Sequence, residues 1–400
     1  MKYLALLLVA ACAEPTSEST IEAHLTAAVK QERLQLIRDS AAEMGVTNAA
    51  LMGGIAMSET GLAHCQSEAT YACQGPASPS CGGGPIIAGS ADGPCADQQG
   101  GLGMFQFDAG TYAQTVAAYG DSILTVEGNT AQAVSFVVDR LIQDITGVDD
   151  WTSAVAYMNS VPMKAGDPKM EEWSHFLACR YNGCCSTSSL CTSRANGYRD
   201  NAITLYNDMG TAFWKTDDRC AALPADGVIE QRTACYLAGG DPRYWRPETV
   251  GAGGASETTG TTAAAKPSNF ARWIVKAPAA GRYSVEAYIE GGEATAAVYA
   301  IVHGGMTDKV TVDQTMANGY VALGEFAFAG SGDEYIELDD NTGTAGNRLA
   351  FDAMRVTSLD GVGPGGDDTG GADGGCAAGG SAGLTSGLLV LALALARRRR

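Results

Sequence analysis

Ten cysteines between Cys65 and Cys235 constrain this chain more than any other feature: Cys65, Cys73, Cys81, Cys95, Cys179, Cys184, Cys185, Cys191, Cys220 and Cys235. An even set in an exported chain argues for disulfides formed in an oxidising compartment. No cysteine pair has finger-like spacing with histidine partners, and the chain has only 4 His, so no metal site is expected. Export is read from the N-terminus. Met1-Lys2 precede an apolar run from Tyr3 to Ala11, followed by Cys12. Such a run is a signal peptide, too short to span a bilayer.

The charge narrows the partners. With 26 basic and 45 acidic residues the formal net charge is −19. Lys2 and the four terminal arginines lie in end segments without acids, so the exported part is more acidic still. That field repels nucleic acid and anionic lipid head groups, whereas carbohydrate binding needs no positive charge. No cofactor is expected.

Both ends carry resemblances. Val9-Ala10-Ala11-Cys12 resembles a bacterial lipobox, whose cysteine takes a lipid after cleavage; an ordinary small-residue cleavage site is the alternative. A Gly/Asp-rich run from Gly361 to Gly375 leads to Cys376, an apolar stretch from Leu384 to Ala396, and Arg397 to Arg400. This order resembles the MYXO-CTERM sorting signal of surface proteins, with the arginines kept cytoplasmic. It implies a protein at the outer membrane or cell surface, anchored by lipid, by the tail or by both, or else released.

A chain of 400 residues fits two compact domains plus processing segments. The expected fold class is α+β multidomain, a helical domain followed by an antiparallel β-sandwich. The expected segments are a signal peptide (1–12), a tether (13–25), a helical domain (26–212), a sandwich (216–358), a Gly/Asp-rich linker (359–375) and a sorting segment (376–400). Leu34, Ile37, Ala41 and Met44 repeat at helical spacing, with Gly45 as a stop. A second helix runs from Ala49 to about Thr60. An insert at 61–100, rich in Cys and Gly, shows little periodicity. Further helices are expected at 111–119, 130–145, 151–159, 171–179 and 194–208. Beyond Cys220 the pattern alternates, as in Tyr283/Val285/Ala287/Ile289, between Gly-containing turns.

The chemistry centres on Glu59. Leu51, Ile55 and Glu59 share one helix face, so an ionisable group continues an apolar stripe to the helix C-terminus. Desolvation and the negative end of the helix dipole both raise a carboxylate pKa there, which suits a general acid. Taken alone, a glutamate at a helix end is more often just solvated.

Three signatures in order change that balance. Ser58-Glu59-Thr60-Gly61 resembles the Glu-Ser signature of lytic transglycosylases and goose-type lysozymes, with Thr60 in place of serine. Gly103-Met104-Phe105-Gln106, followed by Thr111, resembles that family's Gly-Leu-Met-Gln motif, with Ala109 where proline is usual. Arg180-Tyr181-Asn182-Gly183 resembles its Tyr-Asn-Ala-Gly signature, with the glycine one residue early. The resemblance, over roughly 21–210, implies a groove with Glu59 as catalytic acid and base. Gln106, Tyr181, Asn182 and Thr60 would bind substrate, and the Tyr181 hydroxyl would hold the carboxyl group. It implies peptidoglycan cleavage by a single glutamate, as a lytic transglycosylase or a lysozyme-like muramidase. A second acid, from Asp92 or Asp97 of the insert, would favour hydrolysis; Asp108 is a poor candidate. The alternative is a non-catalytic glycan-binding or adhesive protein that keeps the fold. Cysteines 179, 184, 185 and 191 would cross-link the loops flanking the groove, or else staple an inactive domain.

Residues from about Cys220 to Thr357 resemble the golvesin C-terminal-like domain, through Tyr244-Trp245-Arg246, Ala271-Arg272-Trp273, Ala280-Gly281-Arg282-Tyr283 and Phe351-Asp352-Ala353-Met354. Function is not inherited from it. Tyr244, Trp245 and Trp273 are candidates for sugar stacking, against the commoner core role. The Asp339-Asp340-Asn341 turn is read as solvated rather than as a calcium site.

Overall fold

The computed structural model describes residues 23–70, 72–89, 95, 101–216 and 219–360. The signal peptide, the lipobox, most of the tether, Asp92, Asp97 and the sequence from Gly361 to the sorting tail lie outside the described residues.

The helical half is built around one helix with no polar face. Helix α1 (Ala27–Glu43) starts at Thr26, whose hydroxyl accepts the Val29 N–H, and buries Leu34, Ile37 and Ala41. Helix α2 (Ala50–Thr60) is buried continuously from Ala50 to Ala56, as expected for the central helix of a bundle. Gly61, left-handed at φ 62°, ends it. Around it stand α3 (Tyr112–Tyr119), α4 (Val126–Asp144), α5 (Trp151–Asn159), α6 (Pro168–Arg180), α7 (Ser189–Met209) and the short α8 (Thr211–Trp214). Helices α2 and α7 touch closely: a Cβ at Gly54 would stand 2.6 Å from the Ala202 Cβ. The domain edge read at 212 falls inside α8. Trp214 is only 3% exposed and donates its indole N–H to the Leu205 carbonyl, so the helical core extends through it.

The insert holds a small hairpin, β1 (Cys73–Ala77) against β2 (Pro85–Ala88), which its weak periodicity did not announce. Disulfides Cys65–Cys81 and Cys73–Cys95 tie it down. Cys179–Cys185 and Cys184–Cys191 interlock between α6 and α7, and Cys220–Cys235 belongs to the second half. Every pair is local, so the expected cross-link between the two groove loops is corrected. Cys179 and Cys191 lie at the facing ends of consecutive helices, where closing a short connection is geometrically easier than reaching the insert. Five disulfides fit an oxidising, extracellular setting.

The named strands of the second half pair antiparallel, from β3 (Val228–Ile229), β4 (Tyr236–Gly240), β5 (Arg246–Glu248) and β6 (Ser256–Gly260) to β7 (Asn269–Val275) and β8 (Gly281–Ile289). It continues with β9 (Ala297–His303), β10 (Met306–Val312), β11 (Gly319–Phe328), β12 (Glu334–Asp339), β13 (Arg348–Phe351) and β14 (Met354–Ser358). A five-stranded sheet ordered β10-β9-β12-β7-β4 faces a four-stranded sheet ordered β11-β8-β14-β3, and β13-β6-β5 forms a third. Strict alternation of buried and half-exposed residues in β8 and β9 supplies Tyr283, Val285, Ala287, Tyr299 and Ile301 to the core. The Leu349–Val356 run is two strands, because Asp352 and Ala353 leave the strand pairing between them. Asp340 is not solvated. It is 1% exposed, and its carboxylate accepts the Ser268 and Asn269 N–H groups at 2.9 and 3.0 Å.

The halves touch through α1, α3, α4 and the start of α5. Arg243 donates to the Ala118 carbonyl (2.8 Å), Lys266 to the Asp149 carbonyl (2.6 Å) and Arg272 to the Thr152 hydroxyl (2.9 Å). Trp151 and Phe270 meet edge to face at 6.2 Å.

Candidate functional site

Glu59 lies in the last turn of α2, where the apolar stripe of Leu51 and Ile55 runs out, and it is half-buried. Helix α7 brings Tyr198 and Arg194 to it from one face, four residues apart. The Tyr198 hydroxyl donates to Glu59 Oε1, and the Asn182 amide donates to the same oxygen at 3.2 Å. Asn182 Nδ2 also donates to the Tyr198 hydroxyl oxygen, while its Oδ1 accepts from Arg194. Arg194 thereby fixes the amide: with Oδ1 turned to the guanidinium, the NH2 must face the carboxylate. Among the described residues, no donor sits on Oε2.

Opposing forces act on this carboxyl. Burial pushes its pKa up; the Tyr198 hydrogen bond, the Arg194 charge and the Asn182 hydrogen bond pull it down, and burial prevails. The Tyr198 and Tyr181 hydroxyls are raised well above the usual range, by burial first and by the Glu59 charge second. Neither gives up its proton at neutral pH, so Tyr198 remains a donor.

The loop after the insert forms the adjoining wall. A Cβ at Gly101 would stand 2.2 Å from the Gln106 carbonyl oxygen, and one at Gly103 would strike the Asn129 amide at 2.5 Å. Buried Asn129 threads this turn, accepting the Phe105 N–H at 3.0 Å and donating to the Ile123 carbonyl at 2.9 Å. Gln106 adopts φ 55°, left-handed without being glycine, and its amide donates to the Gly103 carbonyl at 2.7 Å. Such strain persists only where the surroundings over-determine it. Thr111 caps α3 and exchanges hydrogen bonds with Gln114, which gives that position a structural reason.

Two assigned roles change. Tyr181 does not hold the carboxyl group: its hydroxyl donates to the Phe105 carbonyl, and Tyr198 takes the role expected of it. Thr60 does not face a substrate. It is 0% exposed and its hydroxyl bonds the Ala63 and Met104 carbonyls at 2.9 and 3.3 Å, tying α2 to the Gly-rich wall. Glu59 and Asn182 come together directly, and Gln106 lies in the wall next to Phe105, on which Tyr181 docks. Arg194 and Tyr198 were given no role by sequence. Their trace is a polar pair heading the apolar row Ala202 and Leu205 on α7.

A cavity of about 740 Å3 opens between α5 and α6 and contains none of these residues. Its polar side chains satisfy one another, Tyr157 donating to Glu172 at 2.8 Å with Lys169 4.6 Å above its ring. Among the described residues no group of His, Cys, Asp or Glu is arranged to hold a metal, and no helix is long and apolar enough to cross a membrane.

No curated protein matches the chain. A solved xanthan lyase from Paenibacillus is similar over 33% of this chain at 19% identity, with a TM-score of 0.29. The chain spans 13% of that enzyme's length. Residues 237–358, from β4 through β14, match the family model of the Golvesin C-terminal domain.

Proposed function

We propose that the helical half cleaves peptidoglycan as a lytic transglycosylase, with Glu59 as its single acid and base, on a protein displayed at the cell surface. The observation that carries this reading is the asymmetric carboxyl group of Glu59: raised by burial, held by two donors on Oε1, and left without a partner on Oε2 among the described residues. Protonated Oε2 delivers its proton to the glycosidic oxygen as the bond from that oxygen to the anomeric carbon breaks. The carboxylate so formed is stabilised by Tyr198 and Asn182 on the other oxygen. It then takes the proton of the substrate's own 6-hydroxyl as that oxygen attacks the anomeric carbon. A 1,6-anhydro end closes, no water is consumed, and Glu59 is protonated again.

Most glycosidases need a second carboxylate, and among the described residues none of the groups acting on Glu59 is one. A transglycosylase needs only the one; Asp92 and Asp97, the acids that would favour hydrolysis, lie outside the described residues. The lipobox-like Cys12 and the tail from Cys376 support surface display. The test is mass spectrometry of purified peptidoglycan after incubation with the protein. Anhydro-muropeptides are expected. Reducing ends would make it a muramidase, and binding without release would make it a glycan-binding protein.

A further inference from the structure

We propose that Arg194 is a positioning residue of the cleavage: through the amide of Asn182 it fixes the direction of the hydrogen bonds that end on Glu59, and so decides that the acid proton sits on Oε2. The inference rests on the peptidoglycan-cleaving reading and deepens it.

An amide presents a donor and an acceptor of nearly equal size, so its neighbours decide which way it turns. Asn182 stands between Glu59 and Arg194. A guanidinium only donates, and it stays charged. Asn182 Oδ1 is therefore committed to Arg194, and both amide protons face the other way. One goes to Glu59 Oε1 at 3.2 Å and the other to the Tyr198 hydroxyl oxygen. With its oxygen accepting there, Tyr198 turns its single proton to Glu59 Oε1. Every hydrogen bond of the set runs from Arg194 toward Glu59. Oε1 thus receives two protons from its neighbours, and one of its own would face both. The proton of the neutral carboxyl group goes to Oε2, the oxygen that delivers it to the substrate. A turned amide would reverse this. Its Oδ1 would accept from a protonated Oε1 and hold the acid proton on the inner oxygen, away from the bond to be cut.

The fold brings the parts together. Arg194 and Tyr198 lie four residues apart on one face of α7. Cys191, about one turn before Arg194, is bonded to Cys184, two residues after Asn182. That disulfide fastens the loop carrying the amide to the helix that supplies its donor. The groups facing Glu59 are Tyr198 and Arg194 from α7 and Asn182 from the loop, and Tyr181 feels its charge. Burial raises the Glu59 pKa, and the Arg194 charge pulls against it. A charge effect moves the pH at which Glu59 works, whereas the direction of the amide sets the rate at the optimum. The two are therefore separable.

The experiment compares the full wild-type protein with Arg194→Met, Arg194→Lys and Asn182→Ala, with thermal melts verifying each fold. Muropeptide release is followed across pH, and each variant is judged at its own optimum. Arg194→Met is expected to lower kcat about 10²-fold with KM little changed, since Arg194 acts through Asn182. Arg194→Lys keeps a donor that cannot accept and should recover most of the loss. Added to Asn182→Ala, Arg194→Met should cost nothing further. The side-chain amide proton signals of Asn182, identified by their loss in Asn182→Ala, give a readout apart from cleavage. They should move as Glu59 titrates in wild type and cease to do so in Arg194→Met. Amide signals that still follow Glu59 in Arg194→Met overturn the inference. So do kcat losses that multiply in the double variant, or an Arg194→Lys no better than Arg194→Met. A wild-type protein that releases no muropeptides overturns the cleavage reading, while the amide signals still decide the direction of the hydrogen bonds.

Discussion

At the scale of single residues, the site depends on one carboxyl group caught between burial and three stabilising neighbours. Glu59→Gln keeps the shape but cannot deliver a proton, so release of muropeptides should fall by about 10²–10⁴-fold. The same variant reports on the pKa through stability. A carboxyl whose folded pKa is raised favours folding at low pH, and that contribution is lost as pH rises through the raised value. Glutamine does not ionise. The melting temperature of Glu59→Gln should therefore gain on wild type as the pH rises from about 4, the unfolded value, through the raised one; a constant difference on the way would show that burial does not dominate at Glu59. Glu59, Gln106 and Asn182 could be singled out in sequence because each sits in a local motif. The holder of the carboxyl group was not. Tyr181 and Tyr198 are both aromatic alcohols near the right place, and only the approach of α7 to α2 decides which one reaches Oε1.

That approach belongs to the scale of elements. Gly54 and Ala202 set the distance between the helix carrying Glu59 and the helix carrying Tyr198. Gly54→Ala should push the helices apart, costing about 1–3 kcal/mol in chemical denaturation. Cleavage should fall more than that loss explains at temperatures where the variant is fully folded. The loop closed by Cys179–Cys185 contains Asn182, and Cys184–Cys191 interlocks with it. Replacing Cys184 and Cys191 by serine should cost about 2 kcal/mol and reduce cleavage; full activity in the reduced double mutant would show that Asn182 needs no clasp. The helices α1 to α7 were legible within a few residues because their caps and periodicity agree, as with Thr26 and Thr111. The β1–β2 hairpin was not, because disulfides rather than alternation define it. The pairing of the cysteines was not legible either, since ten thiols leave many partners open until the helix ends are placed.

At the scale of the whole molecule, the change from helical to alternating pattern near residue 210 marked the two halves, and the helical core continues past it to Trp214. A fragment ending at 216 should therefore resist denaturant better than one ending at 212, by about 3 kcal/mol; equal midpoints would mean that Trp214 is dispensable. The halves also meet through Arg243, Lys266 and Arg272, so removing the sandwich should loosen α3 and α5 first, as hydrogen exchange would show. The clasp around Asn182 has one more consequence on the proposed reading. A bacterium that makes a wall-cutting enzyme holds it, during synthesis, on the same side of the membrane as its own unfinished wall precursors. In the reducing cytoplasm the four thiols stay open and the loop that presents Asn182 is unfastened. On that reading the blade is assembled only after the chain has left the cytoplasm that forged it.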